Sequence, residues 1–334
     1  GNIPVRTILS RAGFKNVSVV KEQEMPDGKF PTCPYPNPEI RQVFECGLKM
    51  TETEKADLML ATDPDCDRVG IAVPSDNGYE LFTGNEVGAM LLEYICSERT
   101  KMGTMPADPV AVKTIVTTDI AAKIAKEYGV KLIEVLTGFK FIGEQIGFLE
   151  DKGQEDRYIF GFEESYGYLA GSYVRDKDAV VASMLICEMA AFYRTKGISL
   201  IQARENMYKK YGVYVHSQSS FVCEGVTGME RMKEIMSDLR TNTPKTIGGL
   251  TVTRFEDYLA STSVDTATGA KTMLTLPKSD VLTFKLTDGA SVIIRPSGTE
   301  PKIKAYYTTT GTTKAEAAAL EKTISDDFAK ILGF

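Results

Sequence analysis

Between Thr83 and Phe162, apolar runs of strand length alternate with helical patterns, and that alternation limits the architectures open to the chain more than any other feature. Thr83-Gly84-Asn85-Glu86 has capping-box spacing and opens a helix to about residue 98. A loop over 101–109 leads to a strand over 110–116, a helix over 119–128, a strand over 131–136, a helix over 138–149 and a strand over 158–162. Long helices over 178–210 complete a layered α/β segment. Residues 1–82 read as another α/β unit. It begins with a helix that has Asn2 as its cap, Pro4 early and Gly13 as its stop. A strand over 17–20, a Pro-rich loop through Pro38, a helix over 39–51 and two strands over 58–62 and 69–73 follow. Pro38 after Asn37 suits the first turn of that second helix. After Gly212 the pattern changes to hairpin-paired strands with helices near 226–240 and 315–331. Thr287-Asp288-Gly289 between 281–286 and 290–294 is the clearest hairpin signal, and 308–313 reads as a polar link into the last helix. The predicted fold class is α/β: two three-layer α/β domains, 1–82 and 83–211, followed by a C-terminal α+β domain, 212–334, with an antiparallel sheet and helices.

A chain of 334 residues has room for two or three cores, and 43% hydrophobic with 25% charged residues is ordinary for a globular protein. No apolar run is long enough to span a bilayer; even 180–193 is broken by Glu188. A net charge of -6 argues against an extended nucleic-acid surface, so any bound anion must be captured by a local basic site. The six cysteines form no C-x-x-C pair, which predicts a reducing, cytoplasmic setting. The single histidine, His216, falls in a predicted strand, so histidine triads and zinc chemistry are not expected. The opening residues show neither an initiator Met nor a signal-peptide pattern, and the expectation is that the chain is a fragment.

Asp63-Pro64-Asp65-Cys66-Asp67-Arg68 lies between the two strands of the first segment. Three carboxylates at alternate positions point the same way in an extended loop, and their mutual repulsion is relieved by a divalent cation. Rigid flanks favour a small, hard ion such as Mg²⁺. An EF-hand loop starting at Asp63 would need Gly at its sixth position and Glu at its twelfth, where this chain has Arg68 and Pro74. Asp65-Cys66-Asp67-Arg68-Val69 also fits the D-x-D-x-[TV] pattern of haloacid-dehalogenase-like phosphatases, with Asp65 as nucleophile, but no convincing downstream acidic pair follows. An acidic surface turn is the plainest alternative.

Further candidates lie downstream. Arg295-Pro296-Ser297-Gly298-Thr299-Glu300-Pro301, between two predicted strands, offers an Arg fork, hydroxyls and Gly-exposed amides to a phosphate, or is a decorated turn. Glu163-Glu164-Ser165-Tyr166-Gly167 follows a strand end, where α/β proteins place ligand loops; its carboxylates and hydroxyl suit sugar hydroxyls, and a solvated acidic loop is the alternative. Arg175 and Lys177 are cations that can reach the same place, while Asp178 also fits a helix cap. Thr137-Gly138-Phe139-Lys140 opens a helix whose free amides and Lys140 can hold an anionic oxygen, or is an ordinary helix start.

In this order, Asp63-Pro64-Asp65-Cys66-Asp67-Arg68, Gly161-Phe162-Glu163-Glu164-Ser165 and Arg295-Pro296-Ser297-Gly298-Thr299-Glu300-Pro301 closely resemble the metal, sugar and phosphate loops of the α-D-phosphohexomutases. Through Thr137-Gly138-Phe139-Lys140 and Arg175-Asp176-Lys177-Asp178 the chain is most similar to the phosphoglucomutase and phosphopentomutase-like branch, and the similarity covers essentially its whole length. The resemblance implies three α/β domains and a C-terminal α+β domain around a cleft, with a phosphoserine in the first domain. It implies a Mg²⁺-dependent isomerase interconverting glucose 1-phosphate and glucose 6-phosphate through a sugar bisphosphate, with mannose or pentose phosphates as alternative substrates. By position, Asp63, Asp65 and Asp67 would hold one Mg²⁺ beside Arg68, and Lys177 would lie near the reacting oxygen. Thr137, Gly138, Lys140, Glu163, Ser165 and Arg175 would bind the phosphosugar, and Arg295, Ser297, Gly298 and Thr299 its non-reacting phosphate. The family's Ser-His-Asn-Pro stretch has no counterpart here, since His216 is followed by Ser217-Gln218. The first domain is therefore expected to be missing and this fragment to be inactive alone, with a non-catalytic sugar-phosphate-binding module as the competing reading. The expected partners are a phosphosugar and the absent N-terminal domain, with neither nucleic acid nor membrane.

Overall fold

A computed structural model of the chain, which describes residues 1–334 except Glu224, Val226 and Thr299, falls into two compact units, Gly1–Tyr211 and Gly212–Phe334. The first unit opens with α1 (Asn2–Arg11), a 3-10 turn at Arg41–Phe44 running into α2 (Glu45–Met50), and the strands β1 (Met59–Thr62), β2 (Val69–Ser75) and β3 (Gly78–Phe82). The three strands form one antiparallel sheet in sequence order, with Thr62 opposite Val69, so residues 63–68 are the connection of a hairpin. Val43, Phe44 and Cys33 pack against Ala72 beneath it.

Then come α3 (Gly84–Met102), β4 (Val110–Thr114), α4 (Ile120–Glu127), β5 (Lys131–Val135), α5 (Phe139–Glu150), β6 (Tyr158–Glu163), β7 (Gly167–Leu169), α6 (Ala179–Thr195) and α7 (Leu200–Tyr211). The sheet order is β5-β4-β6-β7, with β4 parallel to both neighbours and β7 returning antiparallel to β6. The parallel strands are covered by helices, as such strands require: Val110 and Val112 of β4 join Ile142 and Ile146 of α5 in one core. The capping box at Thr83 forms as expected, its hydroxyl accepting from the Glu86 amide at 3.2 Å while Glu86 Oε2 accepts from the Thr83 amide at 2.8 Å. Asp178 caps α6 by accepting from the amides of Val180 and Val181.

The second unit contains β8 (Val213–Val222), α8 (Gly228–Thr241), β9 (Thr246–Ile247), β10 (Leu250–Asp257), β11 (Thr262–Asp265), β12 (Lys271–Met273), β13 (Leu282–Leu286), β14 (Ser291–Pro296), β15 (Lys302–Gly311) and α9 (Lys314–Ile331). Its sheet is antiparallel in the order β12-β11-β10-β13-β14-β15-β8, with β9 on β10. Phe284, Val292, Ile294, Ala305 and Tyr307 on one sheet face bury Ile324 and Phe328 of α9. The 287–289 turn joins β13 to β14 with Asp288 in the left-handed region, φ 57°.

Four local expectations are corrected. Residues 17–20 are not a strand: Val17 is exposed, no strand among the described residues pairs with the segment, and β-propensity without burial does not make a strand. The helix expected over 39–51 is split because Asn37 captures the Glu39 amide with its side chain at 3.0 Å and the Ile40 amide with its carbonyl at 2.9 Å, delaying the helical start. Asn2 is the first helical residue of α1 rather than its cap, which is Gly1. The polar link over 308–313 is largely strand, since Thr308 to Gly311 continue β15 opposite His216 to Val213 of β8.

Candidate functional site

The Asp63–Arg68 connection is a tight turn, not the extended loop expected from its alternating carboxylates. The amide of Asp63 donates to the Arg68 carbonyl at 3.3 Å, the amide of Cys66 donates to the Asp63 carbonyl at 3.1 Å, and Cys66 takes the left-handed conformation, φ 58°. Asp63 is 3% exposed. Its Oδ1 accepts from the amides of Asp67 and Arg68, each at 3.1 Å, and its Oδ2 accepts from Arg68 Nε at 2.7 Å. One carboxylate oxygen of each of Asp63, Asp65 and Asp67 nonetheless lies within 4.8 Å of the others. Asp65 is exposed, and Asp67 Oδ2 is 2.8 Å from Lys177 Nζ.

Burial pushes the Asp63 carboxyl up, but the Arg68 amide and guanidinium outweigh it and hold the group below the ordinary carboxylate range. Burial raises Asp67, Lys177 offsets only part of the rise, and neighbouring Asp63 adds to it. Lys177 is pulled down by burial and pushed further up by Asp67, so its ammonium is held above the ordinary lysine value. Among the described residues Asp67 Oδ1, which is buried, has no hydrogen-bond partner; it lies 3.7 Å from Arg68 Nε. A buried carboxylate oxygen of this kind, beside two further hard oxygen donors, fits a divalent metal ion.

Main-chain bonds stitch this turn to the next candidate. The Val69 amide donates to the Tyr166 carbonyl at 3.2 Å, Arg68 bridges to Gly167, and the Ala179 amide donates to the Cys66 carbonyl at 3.3 Å. Residues 164–166 are the tight connection between β6 and β7, where Glu163 pairs with Gly167. Gly167 leaves room for the Lys177 stem, whose Cδ a Cβ at that position would meet at 2.5 Å. A Cβ on Gly84, at the start of α3, would fall on the Glu164 carbonyl and the Tyr166 amide, so this glycine permits the close approach of helix and turn. Asp63, Asp65, Asp67, Arg68 and Lys177 therefore form one constellation, and the Glu163–Gly167 turn borders it.

Glu163 is 5% exposed and its Oε1 accepts from the Gly138 amide at 2.8 Å, joining it to the Thr137-Gly138 turn; Gly138 has φ 123°. Thr137 Oγ1 is buried with no hydrogen-bond partner among the described residues, and Ser165 is half-buried. Two candidates are held elsewhere. Arg175 is bound to Glu150 and to the carbonyls of Ser172 and Val174, while Lys140 is exposed, with Nζ 4.9 Å from the Phe141 ring centroid.

In the second unit, residues 297–301 connect β14 to β15. Ser297 donates its amide to the Lys302 carbonyl at 2.8 Å and accepts from the Glu300 amide through Oγ at 3.3 Å, which fixes the turn. Gly298 is exposed, and Thr299 lies outside the described residues. Arg295 donates through Nε to Tyr306 Oη at 3.3 Å and faces Lys304 directly across the strands. Like charges directly opposite each other repel, and an anion relieves them. The chain pattern gave no warning of Lys304, because its cross-strand partner is set by the length of the 297–301 turn.

Three family models match the chain: phosphoglucomutase/phosphomannomutase α/β/α domain II over residues 1–77, α/β/α domain III over 83–211, and the C-terminal domain over 240–326. The chain belongs to the phosphoglucomutase/phosphomannomutase family. It is 36% identical over 304 residues to a phosphoglucomutase of Staphylococcus saprophyticus, covering 91% of this chain and 54% of that protein. It is likewise 36% identical over 303 residues to a phosphoglucomutase of Staphylococcus aureus, covering 90% and 53%. A Paramecium parafusin phosphoglucomutase structure in its open form shares the fold with TM-score 0.62 at 19% identity, over 89% of this chain and 50% of that one. The chain spans about half the length of the curated relatives it matches. Within the family, the domain II match includes Asp63 to Arg68, the domain III match includes Thr137, Glu163, Ser165 and Lys177, and the C-terminal match includes Arg295 to Gly298. Its relatives are named phosphoglucomutases, and the family is one of isomerases. Among the described residues, no helix is long and apolar enough to cross a membrane.

Proposed function

We propose that this chain supplies the cation, sugar and distal-phosphate sites of a phosphoglucomutase that interconverts glucose 1-phosphate and glucose 6-phosphate in the cytoplasm. The observation that supports this most is the stitching of the Asp63–Arg68 turn to the Glu163–Gly167 turn around Lys177, which sets a candidate cation site beside a candidate sugar site. In this reading the three domains are 1–82, 83–211 and 212–334. Asp63, Asp65 and Asp67 hold one Mg²⁺, which when bound neutralises charge on the transferring phosphoryl group. Lys177, 2.8 Å from Asp67 and held as the ammonium, is placed to offset negative charge at the reacting oxygen, and Arg68 fixes Asp63. Glu163 and Ser165, with Thr137, Gly138, Lys140 and Arg175, which is paired with Glu150, bind and orient the sugar phosphate. Arg295, Ser297, Gly298 and Thr299 take the non-reacting phosphate, with Lys304 facing Arg295. The phosphoryl group is carried by a serine on a part of the polypeptide outside these 334 residues, and a sugar bisphosphate serves as intermediate and activator.

A second reading, sugar-phosphate binding without chemistry, is favoured by one observation: no Ser-His-Asn-Pro stretch occurs in the chain. Coupled conversion of glucose 1-phosphate to glucose 6-phosphate separates the two. The 334-residue chain alone is expected to show no turnover. A polypeptide that also carries a serine-bearing domain is expected to be active and to stop on chelation of divalent ions. Turnover by the 334 residues alone overturns the placement of the serine, and an inactive longer polypeptide leaves the binding reading. Phosphate release that disappears with Asp65→Asn would instead favour an aspartyl phosphatase.

The phosphate loop carries its own prediction. Arg295→Lys keeps the charge but loses the planar fork, so affinity of the active polypeptide for glucose 1-phosphate is expected to fall about tenfold, ~1.4 kcal/mol. Calorimetry measures this directly; unchanged affinity removes the loop from the site.

A further inference from the structure

The Arg68 guanidinium is held from two sides, and the second side lies far from the turn in sequence. Its Nε bonds to Asp63 Oδ2 at 2.7 Å, whereas its outer nitrogen Nη1 is 3.5 Å from Asn37 Oδ1 and 3.6 Å from Glu39 Oε1. The turn that supplies these oxygens is itself rigidly seated. Asn37 ties down the Glu39 and Ile40 amides, Pro38 is buried, and a Cβ on Gly70 of β2 would meet the Pro38 carbonyl oxygen at 2.7 Å.

Asp67 Oδ1, buried and without a hydrogen-bond partner among the described residues, is 3.7 Å from Arg68 Nε. A guanidinium free to pivot about Asp63 would close on that oxygen and compete with any cation for it. The outer-nitrogen contacts oppose such a pivot. We propose that the Asn37-Pro38-Glu39 turn is a positioning element of the cation site: it holds the outer edge of Arg68 so that the guanidinium neutralises Asp63 without covering the buried Asp67 Oδ1, which would then stay open to a cation. The inference rests on the reading that Asp63, Asp65 and Asp67 hold a divalent cation.

The test is Mn²⁺ binding by the 334-residue chain, followed by electron paramagnetic resonance, in a double-mutant cycle of Glu39→Gln and Arg68→Lys with folding checked by circular dichroism. A lysine at 68 keeps a charge for Asp63 but has no second prong for Glu39. Glu39→Gln is expected to weaken Mn²⁺ binding about fivefold beside Arg68 and by less than about twofold in the Arg68→Lys background, as coupled contacts require. An equal loss in both backgrounds means that Glu39 acts only through its charge, and it overturns the positioning role while leaving the ion assignment standing. Mn²⁺ affinity unaffected by Asp65→Asn removes the ion assignment and this inference with it.

Discussion

Asp63→Asn is expected to cost the first unit about 2–3 kcal/mol of unfolding free energy, whereas Asp65→Asn should stay within about 0.5 kcal/mol of the unaltered chain. Asp63 is 3% exposed, and its two oxygens take three donors, two of them amides and one the Arg68 guanidinium. An asparagine amide turned toward either set puts a donor against a donor and leaves Arg68 without its ionic partner. Breaking a fully buried pair costs about 3–5 kcal/mol. The smaller figure follows because the Arg68 side chain keeps 28% exposure and has Glu39 and Asp67 at 3.6 and 3.7 Å to fall back on. Asp65 is exposed, so its replacement should show in cation binding instead. The same pair sets an acid limit. Because the folded chain holds Asp63 below the ordinary carboxylate range, its contribution is fully present above the unfolded value of about 3.9 and is lost as pH falls from there through the lower folded value. Urea unfolding at neutral pH and at stepped acid pH measures both parts; equal midpoints for Asp63→Asn and Asp65→Asn at neutral pH would contradict the first.

What could be seen in the sequence follows how local each cause is. The Thr83 capping box, the Asp178 cap and the 287–289 hairpin depend on neighbours within a few residues, and all three form. The carboxylate cluster was legible as a set of residue types, but its backbone was not: the turn is closed by a left-handed Cys66, which sequence spacing does not announce. Residues 17–20 have strand composition but, among the described residues, no strand beside them to pair with, and that is a tertiary fact. Glu39 is about 30 positions from Arg68, and its sequence neighbours Asn37 and Pro38 read equally well as a helix start. Arg175 fits the sugar-loop pattern by type, yet the structure commits it to Glu150, a choice made by packing across α5 and not by its own segment.

Arg204→Ala is expected to cost about 3–5 kcal/mol, the largest loss from any single substitution argued for this chain. Arg204 on α7 has a 4% exposed side chain, with Nη1 2.6 Å from Glu80 of β3 and 3.4 Å from Glu86 of α3, and its guanidinium lies 4.5 Å from the Phe82 ring centroid. Glu86 is itself 7% exposed in its side chain and accepts from Tyr208 at 2.9 Å and from the Thr83 amide at 2.8 Å, so removing the arginine takes the guanidinium from a buried carboxylate, leaves it these neutral donors, and empties the space of the stem. The consequence reaches the candidate site through the sheet. β3 pairs with β2, β2 begins at the residue after Arg68, and α3 begins at Gly84 against the Glu164–Tyr166 turn. Loosening β3 from α3 therefore loosens the cation turn from the sugar turn, and Mn²⁺ binding should weaken under conditions where the variant is still folded. Arg204→Met with Glu86→Gln should recover part of the stability, because an apolar stem and a neutral amide leave no buried charge alone. Thermal unfolding of the single and double variants decides it: a loss below about 1 kcal/mol for Arg204→Ala, or a double variant no more stable than the single, would show that the buried pair does not hold β3 to α3.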